Sequence, residues 1–415
     1  MSKQREVKVD LSDQRRDLAG YRRDNELSLA TRDERWDRVR RAMASEGIDI
    51  LVTPPNPGMM DQLQANAAYL STISGNGGPV SVVFPADGDV TVITGSTPSP
   101  SFWQAWQSWV TDVRTTRWAL AEGVIARLRE LDADGKRIGI PGLHGTPRAP
   151  EGLASTGFIE RLSNAFPKMT ISDATSLLDT VRSRKTEEER AAVGEAVAIT
   201  EEAYKLLLNE ARPGVPERVI YGKMVGRLIE CGSIPPNFLG WSVGANFDFS
   251  LAMFPTGRPL ETGEPIYCEI EARSPSGYLG QITRTAFLGT PPAQLAEMAD
   301  LCWETFMAVL GLMAPGVSMG DVLARYKETS AGSRYQVIPI IHARALGEDR
   351  PMIIFDTTDP AIIGFPIRED HVFALKVQVR DPKSGLMVFL GESIAVGPTG
   401  AIRMSDQPLG LTVID

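Results

Sequence analysis

The hydrophobic pattern of this chain changes period several times, and each change marks an element. In DERWDRVRRAMASEGIDILVTPP, apolar positions spaced as on one helix face give way to the block IDILV. That predicts a helix from Asp33 followed by a buried strand. GPVSVVFPADGDVTVITG predicts two short strands with a DG turn between Val83 and Val90. EGVIARLRELDADGKRIGIPG predicts a further helix leading into a strand. Helices alternating with strands indicate an α/β domain over residues 31–177, with a polar arm (1–30) ahead of it that is expected to drape over a partner subunit. Trp103, Trp106 and Trp109 recur at every third position, as one helix face would carry them, and are expected in the core or at a dimer interface. Gly75-Asn76-Gly77-Gly78 reads as a turn or hinge.

At RSRKTEEER the character changes. Thr186 with Glu189 forms a capping-box pattern ahead of the long helical stretch AAVGEAVAITEEAYKLLLNEA, which stops at Pro213-Gly214. A second helical stretch, AEMADLCWETFMAVLGLMA, stops in the same way at Pro315-Gly316. Each PG leads through a valine into another helix, roughly a hundred residues apart, which suggests two related halves. The alternative is that PG only punctuates helix ends.

Composition narrows the function classes. The 415 residues carry a net charge of −9 and 43% hydrophobic residues, enough for a sizeable core and unlike a nucleic-acid binder. The charged N-terminus has no apolar signal-peptide core, and no uninterrupted apolar stretch is long enough to span a membrane. Cys231, Cys268 and Cys302 are sparse and form no CxxC pair. Reduced thiols and a cytoplasmic location are expected. There is no GxSxG, GKS/T, HExxH or strand-borne GxGxxG motif, and Cys268 reads as a buried strand thiol rather than a nucleophile.

The order of features after residue 178 resembles the creatinase, prolidase and aminopeptidase P family. RSRKTEEERAAVGEAVAITEEAY resembles that family's R-x-x-K helix opening, and GWSVGANFDF…EIEARSPSGYLGQITRT resembles its first ligand-bearing strands. IIHARALGEDRP resembles its histidine segment, and EDHVFALKVQV…FLGESIAVGPTG its last two strands. The resemblance implies an α+β protein: a creatinase/prolidase-type N-terminal domain followed by a pita-bread domain over 178–415. It also implies a homodimer in which that N-terminal domain roofs the partner's pocket.

In metal-bearing members of the family, two aspartates, one histidine and two glutamates hold a pair of divalent ions that make hydroxide from water. Here those positions fall on Glu269, Gln281, His342, Lys376 and Gly391, or on Glu392 if the last strand slips by one residue. The upstream catalytic histidine falls on Ala252 or Met253. A lysine among so few acidic ligands opposes two divalent ions, so no metal and no other cofactor is expected. Creatinase, a metal-free relative that cleaves a C–N bond with side chains alone, is the nearest functional comparison.

The expected enzyme is a creatinase-like hydrolase on a small polar molecule bearing a carboxylate or amide. A lyase, cyclase or rearrangement enzyme and a non-catalytic ligand binder are the alternatives. His342 is the expected proton carrier, on a pocket-facing strand-end loop, with Asp349 orienting it or acting as an acid. Glu269 and Glu271 alternate about Ile270 and share one strand face, where paired carboxylates bind a nitrogen or share a proton. Lys376 would do the electrostatic work of a metal, or form a structural ion pair with Glu269 or Glu392. Arg344 and Arg380 suit an anion, and Gln281 and Glu392 complete the polar set. Trp241 and Phe247 are candidates for a pocket wall, with Trp241 alternatively in the core. Asn66, Tyr69 and Asp61, near a segment like the family's N-x-x-Y-L-T-G, are candidates to reach the partner's pocket. Arg284 is expected to be structural.

Overall fold

The computed structural model describes residues 22–23, 25–55, 64–74, 78–95, 99–145, 149, 151–235, 237–245, 254–354 and 357–415. Asp61, Phe247, Ala252, Met253 and Gly75 to Gly77 lie outside them.

The first part of the chain contributes α1 (Leu29–Glu46), β1 (Ile50–Val52), α2 (Ala65–Ser71), β2 (Val80–Pro85), β3 (Thr91–Thr94) and α3 (Pro100–Trp106). It continues with β4 (Asp112–Thr115), α4 (Leu120–Glu130), β5 (Arg137–Ile140), α5 (Thr156–Ala165), β6 (Thr170–Asp173) and α6 (Thr175–Ser183). The six strands form one sheet in the order β4-β3-β2-β1-β5-β6. Helix α1 begins where the Ser28 hydroxyl accepts the Thr31 amide at 3.2 Å. It ends at Gly47, whose φ of 66° only a residue without a Cβ adopts freely. Its buried stripe, Thr31, Arg35, Val39 and Met43, keeps the four-residue spacing of a single helix face.

Two expectations change here. The tryptophan stripe is broken, because α3 ends at Trp106, and Trp109 lies beyond it with its indole N–H on Leu27 O at 2.9 Å. The end of the polar arm folds back on its own chain: the Arg23 amide bonds Trp106 O at 3.1 Å, and Leu27 is buried. The 177/178 boundary falls inside α6, which contacts both α1 and the strand at 348–354.

The second part contributes α7 (Glu187–Glu210), α8 (Glu217–Glu230), β7 (Phe238–Val243), β8 (Pro265–Arg273), β9 (Leu279–Leu288), α9 (Ala293–Leu312) and α10 (Met319–Thr329). Then follow β10 (Gln336–Arg344), β11 (Glu348–Ile354), α11 (Pro360–Ile363), β12 (Val372–Arg380), β13 (Met387–Gly397), β14 (Gly400–Arg403) and β15 (Thr412–Ile414). Their sheet runs β11-β10-β12-β13-β9-β8-β7, with β14 paired to β13 and β15 to β9.

The two halves repeat one device. Helix α7 passes to α8 through Gly214 (φ 89°), whose amide bonds Leu260 O at 2.8 Å. Helix α9 passes to α10 through Gly316 (φ 94°), whose amide bonds Ile367 O at 2.9 Å. Both turns need the left-handed conformation that glycine adopts without strain. Helix α7 then packs on β8 and β9 as α9 packs on β12 and β13, so each of these long helices covers its own half of the sheet.

Glu189 welds the parts together. It completes the capping box with Thr186, pairs with Arg35 of α1 at 2.9 Å and accepts the Tyr278 hydroxyl at 2.8 Å. Among the described residues no helix is long and apolar enough to cross a membrane.

Candidate functional site

Antiparallel pairing sets the site. Glu269 lies opposite Thr283, and Glu271 opposite Gln281; Thr283 in turn lies opposite Gly391, and Gly391 opposite Lys376. Because alternate residues share a face, one side of the sheet collects Glu269, Glu271, Gln281, Thr283 and Lys376. The Lys376 ammonium is 2.5 Å from a Glu269 carboxylate oxygen. Gln281 sits between; with its amide assigned to satisfy both neighbours, its oxygen is 2.9 Å from Lys376 Nζ and its nitrogen 3.1 Å from Glu271 Oε1. Arg344 donates to Glu271, and its other terminal nitrogen is 3.3 Å from Glu348. Buried charges are tolerated only in such paired, hydrogen-bonded sets.

The two adjacent carboxylates are pushed apart in acidity. Burial would raise Glu269, but the charge and hydrogen bond of Lys376, with the Arg344 charge and a hydrogen bond with Glu271, together outweigh it and hold this carboxyl below the usual range. Burial pushes Glu271 up to about 7; Arg344 opposes that rise and Glu269 adds to it. Glu269 therefore stays ionised while Glu271 exchanges a proton near neutrality. The Glu269 side chain keeps 12% of its exposure, so the network is reachable from solvent.

His342 belongs to this neighbourhood but lies within strand β10 and not on a loop, fully buried, with Nδ1 4.0 Å from Glu348. Glu348 was not singled out from sequence. Its signal was the short turn between Arg344 and Glu348, which makes the two opposite partners on β10 and β11.

Other candidates are placed elsewhere. Asp349 neither orients His342 nor faces the network: its carboxylate takes Arg182 and, at 2.8 Å, Lys185, all of them buried. The R-x-x-K opening thus supplies the two cations that neutralise it. Glu392 is one residue out of phase with Lys376 and Gly391, on the opposite face, and pairs with Arg284 and Arg403. Trp241 lies opposite Cys268, on that same far face, and is core: its indole N–H bonds Glu217 at 3.0 Å. Cys268 is inert, its thiol pushed up to about 12 by burial.

Tyr69 is buried beneath the Arg35 guanidinium, 4.6 Å from ring centroid to Cζ, and cannot extend to a partner. Asn66 is held by Arg182 at 2.5 Å within its own chain. Arg344 spends its charge on Glu271 and Glu348 and is not an open anion holder. Arg380 is half-buried at the end of β12, donating to Gln378 at 2.8 Å, four residues along the strand from Lys376.

A dinuclear metal centre does not fit these residues. Gln281 is neutral, Gly391 has no side chain, and Lys376 already occupies Glu269. At an effective dielectric of about 20, a divalent ion about 4 Å from an ammonium is repelled by about 8 kcal/mol. Among the described residues no three His, Cys, Asp or Glu side chains are grouped to hold a metal ion.

The comparisons with known proteins agree with the architecture. The Creatinase/Prolidase N-terminal domain matches residues 35–184, and Metallopeptidase family M24 matches residues 191–403. The "Uncharacterized hydrolase/peptidase y4tM" of Sinorhizobium fredii is 29% identical over 178 residues, covering 41% of this chain. The chain thus matches less than half, 44%, of that curated relative's length. Among solved structures, the X-Pro aminopeptidase from Thermotoga maritima superposes with a TM-score of 0.76 at 17% identity, over 91% of this chain and 99% of its own. The prolidase from Pyrococcus horikoshii superposes with a TM-score of 0.72 at 17% identity, over 91% and 99%. With its N-terminal α/β domain and its pita-bread domain in this order, the chain belongs to metallopeptidase family M24, in the creatinase, prolidase and aminopeptidase P group.

Proposed function

We propose that this chain is an enzyme that acts without the dinuclear metal centre, hydrolysing a C–N bond in a small polar molecule that bears a carboxylate or amide. The observation that carries this reading is the Lys376–Glu269 contact at 2.5 Å, because it sets a protein cation where the family places metal-binding carboxylates. Glu271, raised to about 7, has the acidity suited to a proton carrier at neutral pH. Two neighbouring carboxyls with opposed acidities are the usual basis for dividing acid and base roles.

In the proposed step, His342 takes a proton from water as its oxygen bonds to the scissile carbon. Glu271 gives its proton to the departing nitrogen, and the C–N bond breaks. Lys376 stabilises the charge that develops on oxygen, and Glu269 fixes Lys376 and the substrate nitrogen. The homodimer and the cytoplasmic location are part of this reading and rest on the family resemblance and the composition.

The test has two arms. Metal analysis of protein purified without added metal should find far less than one ion per chain, and two tightly held ions would overturn metal independence. A panel of small amides and ureido and guanidino acids, followed by amine release, should give turnover that Glu271→Gln lowers by about a hundredfold or more. Unchanged turnover in that variant would overturn its role.

A second reading has one observation in its favour. Lys376 and Arg344 both have internal carboxylate partners, so the site is electrostatically complete without a reacting group. Binding without turnover across the panel would favour this ligand-binding reading.

A further inference from the structure

Away from the Glu269–Lys376 network, and sharing no residue with it, a cavity of about 460 Å³ opens on the seam between α6 and the β11–α11 segment. That volume is within the range of sites for drug-sized ligands. Its lining combines apolar residues, Met352, Ile362 and Phe365 among them, with the cations Arg184, Arg350 and Arg368 and the carboxylates Asp179 and Asp359.

The charges are not equally committed. Arg350 is 3.4 Å from Asp179, and Arg184 is 3.5 Å from Asp370, which stands outside the lining. The Asp359 carboxylate caps α11 by accepting the Ala361 amide at 2.9 Å. Arg368 has no ion pair among the described residues; its backbone is engaged with His371, its carbonyl accepting the His371 amide at 3.3 Å and its amide donating to His371 Nδ1 at 3.3 Å. That contact makes His371 neutral, with its proton on Nε2, so it adds a donor and no acceptor charge. Two buried or half-buried groups report the local field. Burial, with the charges of Lys185, Arg368 and Arg184, lowers His371 to about 4. Burial also raises Asp179 to about 6, which weakens the opposing negative charge.

We infer that this seam cavity is a binding site for a small amphipathic carboxylate, with its anionic end on Arg368 and its apolar body against Met352, Ile362 and Phe365. The lining carries a surplus of one cation, which matches a monoanion and not a phosphate dianion set beside Asp179 and Asp359. A guanidinium fork also suits the planar carboxylate geometry. The site joins the two domains, since Asp179 belongs to α6 and Met352 to β11, so an occupant would tie the domains together.

Titration calorimetry on the full chain tests this with 1-naphthylacetate, its neutral analogue 1-naphthylacetamide, and inorganic phosphate. The carboxylate should bind at one site per chain, with the amide and phosphate each weaker by roughly tenfold or more, as expected for loss of a charge-assisted pair or of charge matching. Arg368→Gln should weaken the carboxylate by a similar factor. Ile362→Trp should abolish binding by filling the cavity, while circular dichroism shows the fold retained. Absence of carboxylate binding, equal binding of the amide, preference for phosphate, or unchanged affinity in both variants would each overturn the proposal.

Discussion

Lys376 and Gly391 lie directly opposite each other on β12 and β13, and each accounts for the other. A Cβ on residue 391 would stand 2.8 Å from Lys376 Cγ and 2.8 Å from Thr283 Oγ1, closer than atoms pack. The lysine stem occupies the space that a side chain at 391 would need. The two positions are therefore one steric unit.

Gly391→Ala should destabilise the fold by about 1–3 kcal/mol through overpacking. Combining it with Lys376→Ala should recover part of that loss, since shared space makes the two changes non-additive. A denaturant double-mutant cycle reads the coupling; simple additivity would mean that the two side chains do not compete.

The network should show in pH-dependent stability. Glu271 is raised in the folded state, so it binds its proton more tightly folded than unfolded. Its stabilising contribution is complete below about 4.5 and is lost as pH rises to about 7. Glu269, lowered by Lys376, acts oppositely and loses its contribution as pH falls below about 4.5. Urea unfolding across this window should show a slope that Glu271→Gln reduces, by on the order of 1–3 kcal/mol in total. An unchanged slope would contradict the buried, proton-sharing role of Glu271.

Asp349 is a structural counter-ion. Asp349→Ala strands Arg182 and Lys185 without charge balance and should cost about 3–5 kcal/mol of stability. Turnover per folded molecule should stay near that of the parent chain. Loss of turnover at full stability would instead assign Asp349 a direct part in the chemistry.

Restoring acidity should restore metal affinity in part. In Gln281→Asp combined with Lys376→Glu, the ammonium is gone and two carboxylates join Glu269 and Glu271. Mn²⁺ should then raise the thermal midpoint by several degrees, as ligand binding to the folded state requires. The parent chain should show no such shift, and a shift in the parent would count against the metal-independent reading.

Much of the architecture was legible in the chain, for physical reasons that can be named. The Thr186–Glu189 capping box and the two PG turns are local: a side chain meets a nearby backbone amide, or a glycine takes a left-handed φ. Local chemistry survives folding unchanged, so these signals pointed directly at helix ends. The tryptophan stripe misled because period alone does not state where a helix stops, and Gln107 adopts extended backbone. Asp349 misled because its partner Lys185 lies 164 residues away in sequence, whereas for Trp241 the core alternative holds, with its indole N–H on Glu217.

By itself the sequence determined which residue types stand at the altered ligand positions, Gln281, Lys376 and Gly391, and the order of helices and strands that carries them. Register decided the rest. Pairing of β8, β9, β12 and β13 chose Glu269 over Glu392 as the partner of Lys376, because a strand presents alternate residues to opposite faces and one residue of offset sends Glu392 to Arg284. Only the folded sheet could also set Glu271 near pH 7, since that value comes from burial and from charges brought together across four strands.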